Sequence, residues 1–307
     1  MIAHCGAVVV FYHPDSECIA RANAIAQWCE CVVVDNTPLS DLNGDVAAKL
    51  NSGVVYVANG ANVGIATAIN QGVAELRKRG HDAAILFDQD SSVTESLIDE
   101  LYRALDASRG LDAKVALVGP AYEDPRLRGV APFVRFGYFR LQRVEPTGNS
   151  PIDVDFLISS GSCINLRLWD EIGPMDDGLF IDFVDTEWCM RARTRGYRLL
   201  GLPWVRMVHE LGEAPVRVLG RNYPMHSPLR HYYLFRNAIY LLRRRDVPLT
   251  WKTTEAVKLP FRLLIYAFFI PDGSRHVRMS ARGIRDGWAK RMGPFVISDK
   301  AGKPPIM

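Results

Sequence analysis

In the first 120 residues short apolar runs alternate with helix-length segments, and this alternation constrains the fold more than anything else in the chain. "AVVVFY" (7–12), "CVVVDN" (31–36), "VVYVAN" (54–59), "AAILFD" (83–88) and "VALVGP" (115–120) read as strands. Several are apolar on consecutive residues, which suits a sheet covered on both faces. Segments 16–29, 63–79 and 94–108 read as helices, the last opening with Thr94 as cap and Glu95 in the first turn. Strand alternating with helix predicts a parallel α/β sheet, whose ligands bind beyond the carboxyl ends of the strands. Asp35-Asn36, Asn59-Gly60 and Asp88-Gln89-Asp90 all fall at such ends. Three polar clusters are thus expected on one rim.

The most telling of them is "ILFDQDSSV" (85–93). In an extended chain residues i and i+2 project to the same side, so Asp88 and Asp90 would repel unless a cation sits between them. A divalent metal would supply it. A turn followed by a helix cap is the competing account, since Asp is common in both roles. In "NGANVGIATAINQGV" (59–73), Asn62 and Gly64 lie where a loop runs into a helix, a place suited to a base or phosphate, but the glycine spacing is not GxGxxG and, taken alone, a plain helix start with an Asn cap is the favoured account.

Beyond residue 120 the texture changes. Segment 131–166 alternates around a Gly/Ser patch at 159–162 and suggests antiparallel strands with a tight turn. A helix over 184–195 should end at Gly196, followed by two short strands, "RLLGL" and "VRMVHEL". Asp182, Asp185 and Glu187 crowd the start of that helix. Dipole compensation and an i,i+4 pair with Arg191 account for Glu187, but leave Asp182 and Asp185 in excess. His209, at the end of an apolar strand, reads more readily as a satisfied core residue than as a metal ligand.

Charge divides the chain. Residues 1–216 hold 19 Lys and Arg against 29 Asp and Glu, and residues 217–307 hold 18 against 5. A basic, helical, aromatic tail on an acidic body suggests an anionic partner surface. Nucleic acid is disfavoured because the body would repel it and no binding motif is present. The run 259–271 is too short and charged to span a bilayer, but it can lie in the interface, with Arg275, Arg278, Arg282 and Arg285 on one helical stripe. Packing on the body or on a second copy is the alternative. The N-terminus lacks a signal-peptide pattern, and six cysteines without metal-site spacing read as reduced thiols, so a cytoplasmic setting is expected.

Taken in order, the strand-end Asp35, the Asn-x-Gly, the DxD, the Gly/Ser patch, the acidic helix start and the later VxH resemble the inverting family 2 glycosyltransferases of GT-A fold. The resemblance covers about residues 5–215. "LFDQDS", "FLISSGSCINLRLWDEIGPMDDGLFIDFVDTEWCMRA" and "HYYLFRNAIYL" look most like bacterial rhamnosyltransferases of surface-polysaccharide assembly. It implies a GT-A catalytic domain over 1–216, with a donor half to about 120 and an acceptor half after it, and a helical C-terminal region over 217–307. It implies a nucleotide-diphosphate sugar donor (dTDP-L-rhamnose, or else a UDP- or GDP-sugar), a glycan or lipid-linked glycan acceptor, and Mg²⁺ or Mn²⁺. By the same analogy Asp90, Asp88 and His209 hold the metal, while Asp35, Asn62 and Asp88 bind the donor, with Asn36 in support. The family pattern of Glu-Asp before the helix appears here as Val184-Asp185. The matching Asp185 becomes the general base, with Asp182 in reserve. A sugar nucleotidyltransferase would also use acids and Mg²⁺, but "FYHPDSECIA" offers no Gly-rich basic loop.

Overall fold

The computed structural model describes residues 4–41, 45–124, 129–137, 140–208, 216–218, 221–223 and 226–296. The alternation of the first half resolves into β1 (Cys5–Phe11), α1 (Ser16–Trp28), β2 (Glu30–Asp35), α2 (Val46–Lys49), β3 (Val54–Ala58), α3 (Ile65–Lys78), β4 (Ala83–Asp88), α4 (Glu95–Leu111) and β5 (Val115–Asp124). Asp15 and Thr94 cap α1 and α4 through the Cys18 and Leu97 amides. There follow β6 (Gly129–Val130), β7 (Phe133–Phe136), β8 (Leu141–Val144), β9 (Ile152–Val154), β10 (Cys163–Asn165), α5 (Trp169–Ile172), α6 (Val184–Thr194) and β11 (Arg198–Val208). After the short β12 (Val216–Val218) and β13 (Arg221–Tyr223) come α7 (Pro228–Leu242), α8 (Leu249–Phe269) and α9 (Gly273–Trp288).

The main sheet runs β3-β2-β1-β4-β10-β5-β11-β9, with β6 on the edge of β5. Pairings among β3, β2, β1 and β4 are parallel, as is β5 with β11, while β10 lies antiparallel between β4 and β5. Successive residues of the apolar strands enter opposite layers. Ala7, Val9, Val33, Ile85 and Phe87 pack under α1 and α4. Val8, Val32, Val34, Ala84 and Leu86 pack under α3 and α6. This double cover is why these strands are apolar on consecutive residues. The register sets Phe11 beside Asp35 and Val10 beside Asp88, so the polar carboxyl ends of β1, β2 and β4 are level.

One sequence expectation changes here. The two strands expected across 198–211 are one strand, β11, which stays paired to β5 through a register shift between Leu202 and Arg206. The C-terminal helices share apolar cores with the body: Met190 of α6 packs with Leu241, Val247 and Trp251. All six cysteines are buried and unpaired. No helix among the described residues is long and apolar enough to cross a membrane.

Candidate active site

The level ends of β1 and β4 open into a cleft of about 640 Å³. At its floor the Ser91 amide donates to the Asp88 carbonyl (3.1 Å), closing a turn across Gln89 and Asp90. Gln89 locks this turn to the end of β1, accepting from the Tyr12 amide (2.8 Å) and donating to the Tyr12 carbonyl (3.1 Å). The Gly/Ser patch braces it from behind. The Ser91 and Ser160 hydroxyls lie 2.7 Å apart, the Tyr122 hydroxyl donates to the Ser160 carbonyl, and the Gly161 amide donates to Leu86. Since Thr94 caps the following helix, capping does not occupy the two aspartates, and both line the cleft.

At the entry to α3, Asn62 accepts from the Gly64 amide at 3.0 Å. Gly64 has φ +88°, and a Cβ there would come within 2.7 Å of the Phe180 carbonyl, so only glycine fits. The Asn36 side chain donates to the Gly64 carbonyl and accepts from Asn59, which also bonds Gln71. Asn36 and Asn62 line the cleft. Asp35 does not. It is 1% exposed, and its two oxygens accept from the Thr37 amide and the Tyr56 hydroxyl, each at 2.8 Å. The structure therefore brings Asn36 to the cleft and keeps Asp35 one layer behind it.

The opposite wall is the acidic turn before α6. Asp182 accepts from the Arg230 guanidinium at 3.2 Å, and its other oxygen is buried without a partner. Asp185 accepts from the Thr186 amide at 2.6 Å. Burial pushes the Asp185 carboxyl up to about 6, and Asp88 pushes the same way against hydrogen bonds from the Thr186 and Ser159 backbones. Glu187 turns away from the cleft, 1% exposed and paired with Arg191 and Arg244, each at 2.9 Å. Val184, where the family pattern carries an acid, is buried in the core.

Of the expected site residues, the cleft collects Asn62, Asp88, Asp90 and Asp185, together with Asn36 and Asp182. His209 lies outside the described residues, and no group of three or more metal-binding side chains occurs among them. Asp88 and Asp90 supply oxygen donors of the hard type that Mg²⁺ and Mn²⁺ take. Sequence reasoning missed His226 and Arg230, which also line the cleft. Their one signal was proximity to "HYYLFRNAIYL", which says nothing of where that helix packs.

The chain matches the model of glycosyl transferase family 2 over residues 16–158. It is 36% identical over 258 residues to the dTDP-rhamnosyl transferase RfbF of Shigella flexneri, covering 82% of this chain and 84% of that one. S. aureus TarS (residues 1–349) in complex with UDP-GlcNAc superposes with a TM-score of 0.56 at 13% identity, over 92% of this chain and 80% of that one. GalNAc-T7 with UDP, GalNAc and Mn²⁺ superposes with 0.53 at 16% identity, over 93% of this chain but 56% of the longer relative. These two likenesses establish the GT-A fold. The family-model match and the identity to RfbF, extending over most of both chains, make this protein a member of glycosyl transferase family 2, and thus a glycosyltransferase.

Proposed function

We propose that the enzyme moves L-rhamnose from dTDP-L-rhamnose to a hydroxyl of a glycan or lipid-linked glycan in surface-polysaccharide assembly. The observation that carries the reading is one cleft with an acid pair on one wall and, on the other, a part-buried carboxylate whose hold on a proton is raised by desolvation, in a chain similar to a dTDP-rhamnosyl transferase. Asn36 and Asn62 bind the nucleoside, and Asp35 lies behind the cleft, held by Thr37 and Tyr56. Asp90, with His209, would hold Mg²⁺ or Mn²⁺, and Asp88 would serve the ribose or the metal. When bound, that ion neutralises charge gathering on the departing diphosphate. Arg230, beside Asp182 on the opposite wall, adds a cation to the same cleft. Asp185 takes the acceptor proton as the hydroxyl oxygen bonds to the anomeric carbon. The bond from that carbon to dTDP breaks on the opposite face, so the configuration inverts. Asp182, held by Arg230, is less available as a base.

A screen of nucleotide sugars for release of nucleoside diphosphate tests the donor. The expected result is release from dTDP-L-rhamnose above UDP- and GDP-sugars. Preference for a UDP- or GDP-sugar would overturn the rhamnosyl assignment and leave the fold and family untouched.

The reading extends to location: the enzyme docks reversibly on the cytoplasmic face of the cell membrane through residues 259–291 and the adjoining face of α8. Val257, Phe261, Leu264 and Phe268 follow spacings of four, three and four on α8, and all are exposed, Phe268 at 76%. Arg275, Arg278 and Arg285 are exposed on α9. Arg282 drops out of the expected stripe, because it reaches the Val296 carbonyl and lies over the Phe295 ring. Three arginines near an anionic surface contribute about 1 kcal/mol each before screening. Flotation with anionic vesicles at low salt should lift the parent chain and leave a Phe261→Glu/Phe268→Glu variant behind. Equal flotation of the two would exclude this face.

A further inference from the structure

The turn that delivers Asp185 is built in a conformation its own residues disfavour. Phe180, Asp182 and Phe183 have φ of +64°, +62° and +64°, with no glycine among them. The left-handed region crowds the Cβ of an L-residue, so such a turn persists only where its surroundings hold it. Two adjacent side chains of α7 do so. The Asn237 amide nitrogen lies 2.9 Å from the Leu179 carbonyl, 2.7 Å from Ile181 and 3.0 Å from Asp182. Arg236 donates to the Gly178 and Leu179 carbonyls, both at 2.9 Å, and to Gly293. Its Nε also donates to the Asn237 side-chain oxygen, which fixes the amide with its N–H groups toward the turn.

Both side chains are fully buried. The guanidinium lies over the Tyr233 ring at 4.8 Å and the Tyr232 ring at 5.6 Å. α9 seals it from behind so closely that a Cβ at Gly283 or Gly287 would come within 2.3 Å of the Tyr232 or Arg236 carbonyl. Burying a guanidinium is costly, and here it is directed at loop carbonyls. Simple attachment of a helix to the body would be served by apolar packing, which α7 already has through Phe235, Ala238 and Leu241.

We propose that Arg236 and Asn237 are positioning residues for transfer, holding residues 178–183 in the left-handed turn that sets Asp185 in the cleft. The proposal rests on the reading of Asp185 as the base. Asn237→Asp keeps the size of the side chain and turns carboxylate oxygens toward three carbonyls. In the folded full-length chain, kcat for nucleotide release from dTDP-L-rhamnose should fall roughly 10²-fold, the scale of a misplaced reacting group. Donor KM and calorimetric dTDP affinity should stay within about threefold, because Asn36, Asn62 and Asp88 are untouched. Arg236→Lys, which keeps the charge but cannot span the same carbonyls, should fall between the two. Should Asn237→Asp fail to fold, Asn237→Ser, which retains one donor, takes its place under the same criteria.

Parent-like kcat in the folded variant would overturn the proposal. So would a parallel fall of kcat, dTDP affinity and melting temperature, which would make the pair structural only. Asp185→Asn measured alongside separates the two readings. If it keeps parent activity, the base assignment fails; if it is inactive while Asn237→Asp is fully active, the positioning role fails.

Discussion

Asp185→Asn should lower kcat by roughly 10² to 10⁴ while making the protein more stable at pH 7. The two effects have one cause. Burial holds the Asp185 carboxyl at about 6 in the folded chain, above its unfolded value near 3.8. A folded-state value raised above the unfolded one means the native state binds the proton more tightly, so stability is lost as pH climbs from about 4 through about 6. Keeping the group ionised at pH 7 therefore costs the fold about 3 kcal/mol. Asparagine removes that charge together with the ability to accept a proton. Thermal melts of the two proteins should diverge at pH 7 and converge toward pH 4. In the parent enzyme kcat should decline as pH falls through about 6, where the carboxylate is lost. A variant that is inactive and also less stable at pH 7 would mean that Asp185 serves the fold rather than the proton.

The second large effect belongs to the opposite wall. Asp90→Ala should cost roughly 10³-fold in turnover, matching the several kcal/mol that a metal supplies to a charged leaving group. Asp90 is exposed at the tip of a turn whose geometry comes from the Gln89–Tyr12 latch and the Ser91–Ser160 contact. The alanine variant should therefore keep the parent's melting temperature. Titration of Mn²⁺ into protein with dTDP should show binding in the parent and none in the variant. Exhaustive chelation should abolish parent turnover, and added Mn²⁺ or Mg²⁺ should restore it. Undiminished activity after chelation would remove the metal from the reading.

The first half of the chain was legible because its strands are covered on both faces. Consecutive apolar residues such as Val32, Val33 and Val34 have no other use, and the polar residues that end the runs mark the rim. Gly64 left a visible trace at the entry to α3, since a positive φ hard against another segment admits only glycine. What the sequence concealed depends on distant contacts. Asp35 and Asn36 are neighbours at a strand end, and only the Tyr56 hydroxyl and the Thr37 amide decide which of them is drawn inward. Arg230 enters the cleft because α7 packs there, and no local pattern encodes that. The left-handed residues at 180, 182 and 183 escaped because the usual marker, glycine, is absent and Arg236 and Asn237 hold the turn instead. The single strand β11 read as two because its register slips between Leu202 and Arg206, interrupting the alternation.

The place of β10 in the sheet has a consequence for synthesis. It is the strand that joins β4 to β5, with Cys163 opposite both Ile85 and Val118. A ribosome delivers β4 roughly eighty residues before this partner, a non-local pairing of the kind that folds slowly. Until then β4 is the unpaired edge of a nascent four-stranded sheet, and its "AILF" segment is an apolar template open to any passing strand. The backbone that will present Asp88 and Asp90 is thus an aggregation-prone edge of the half-made chain until β10 has emerged to cover it.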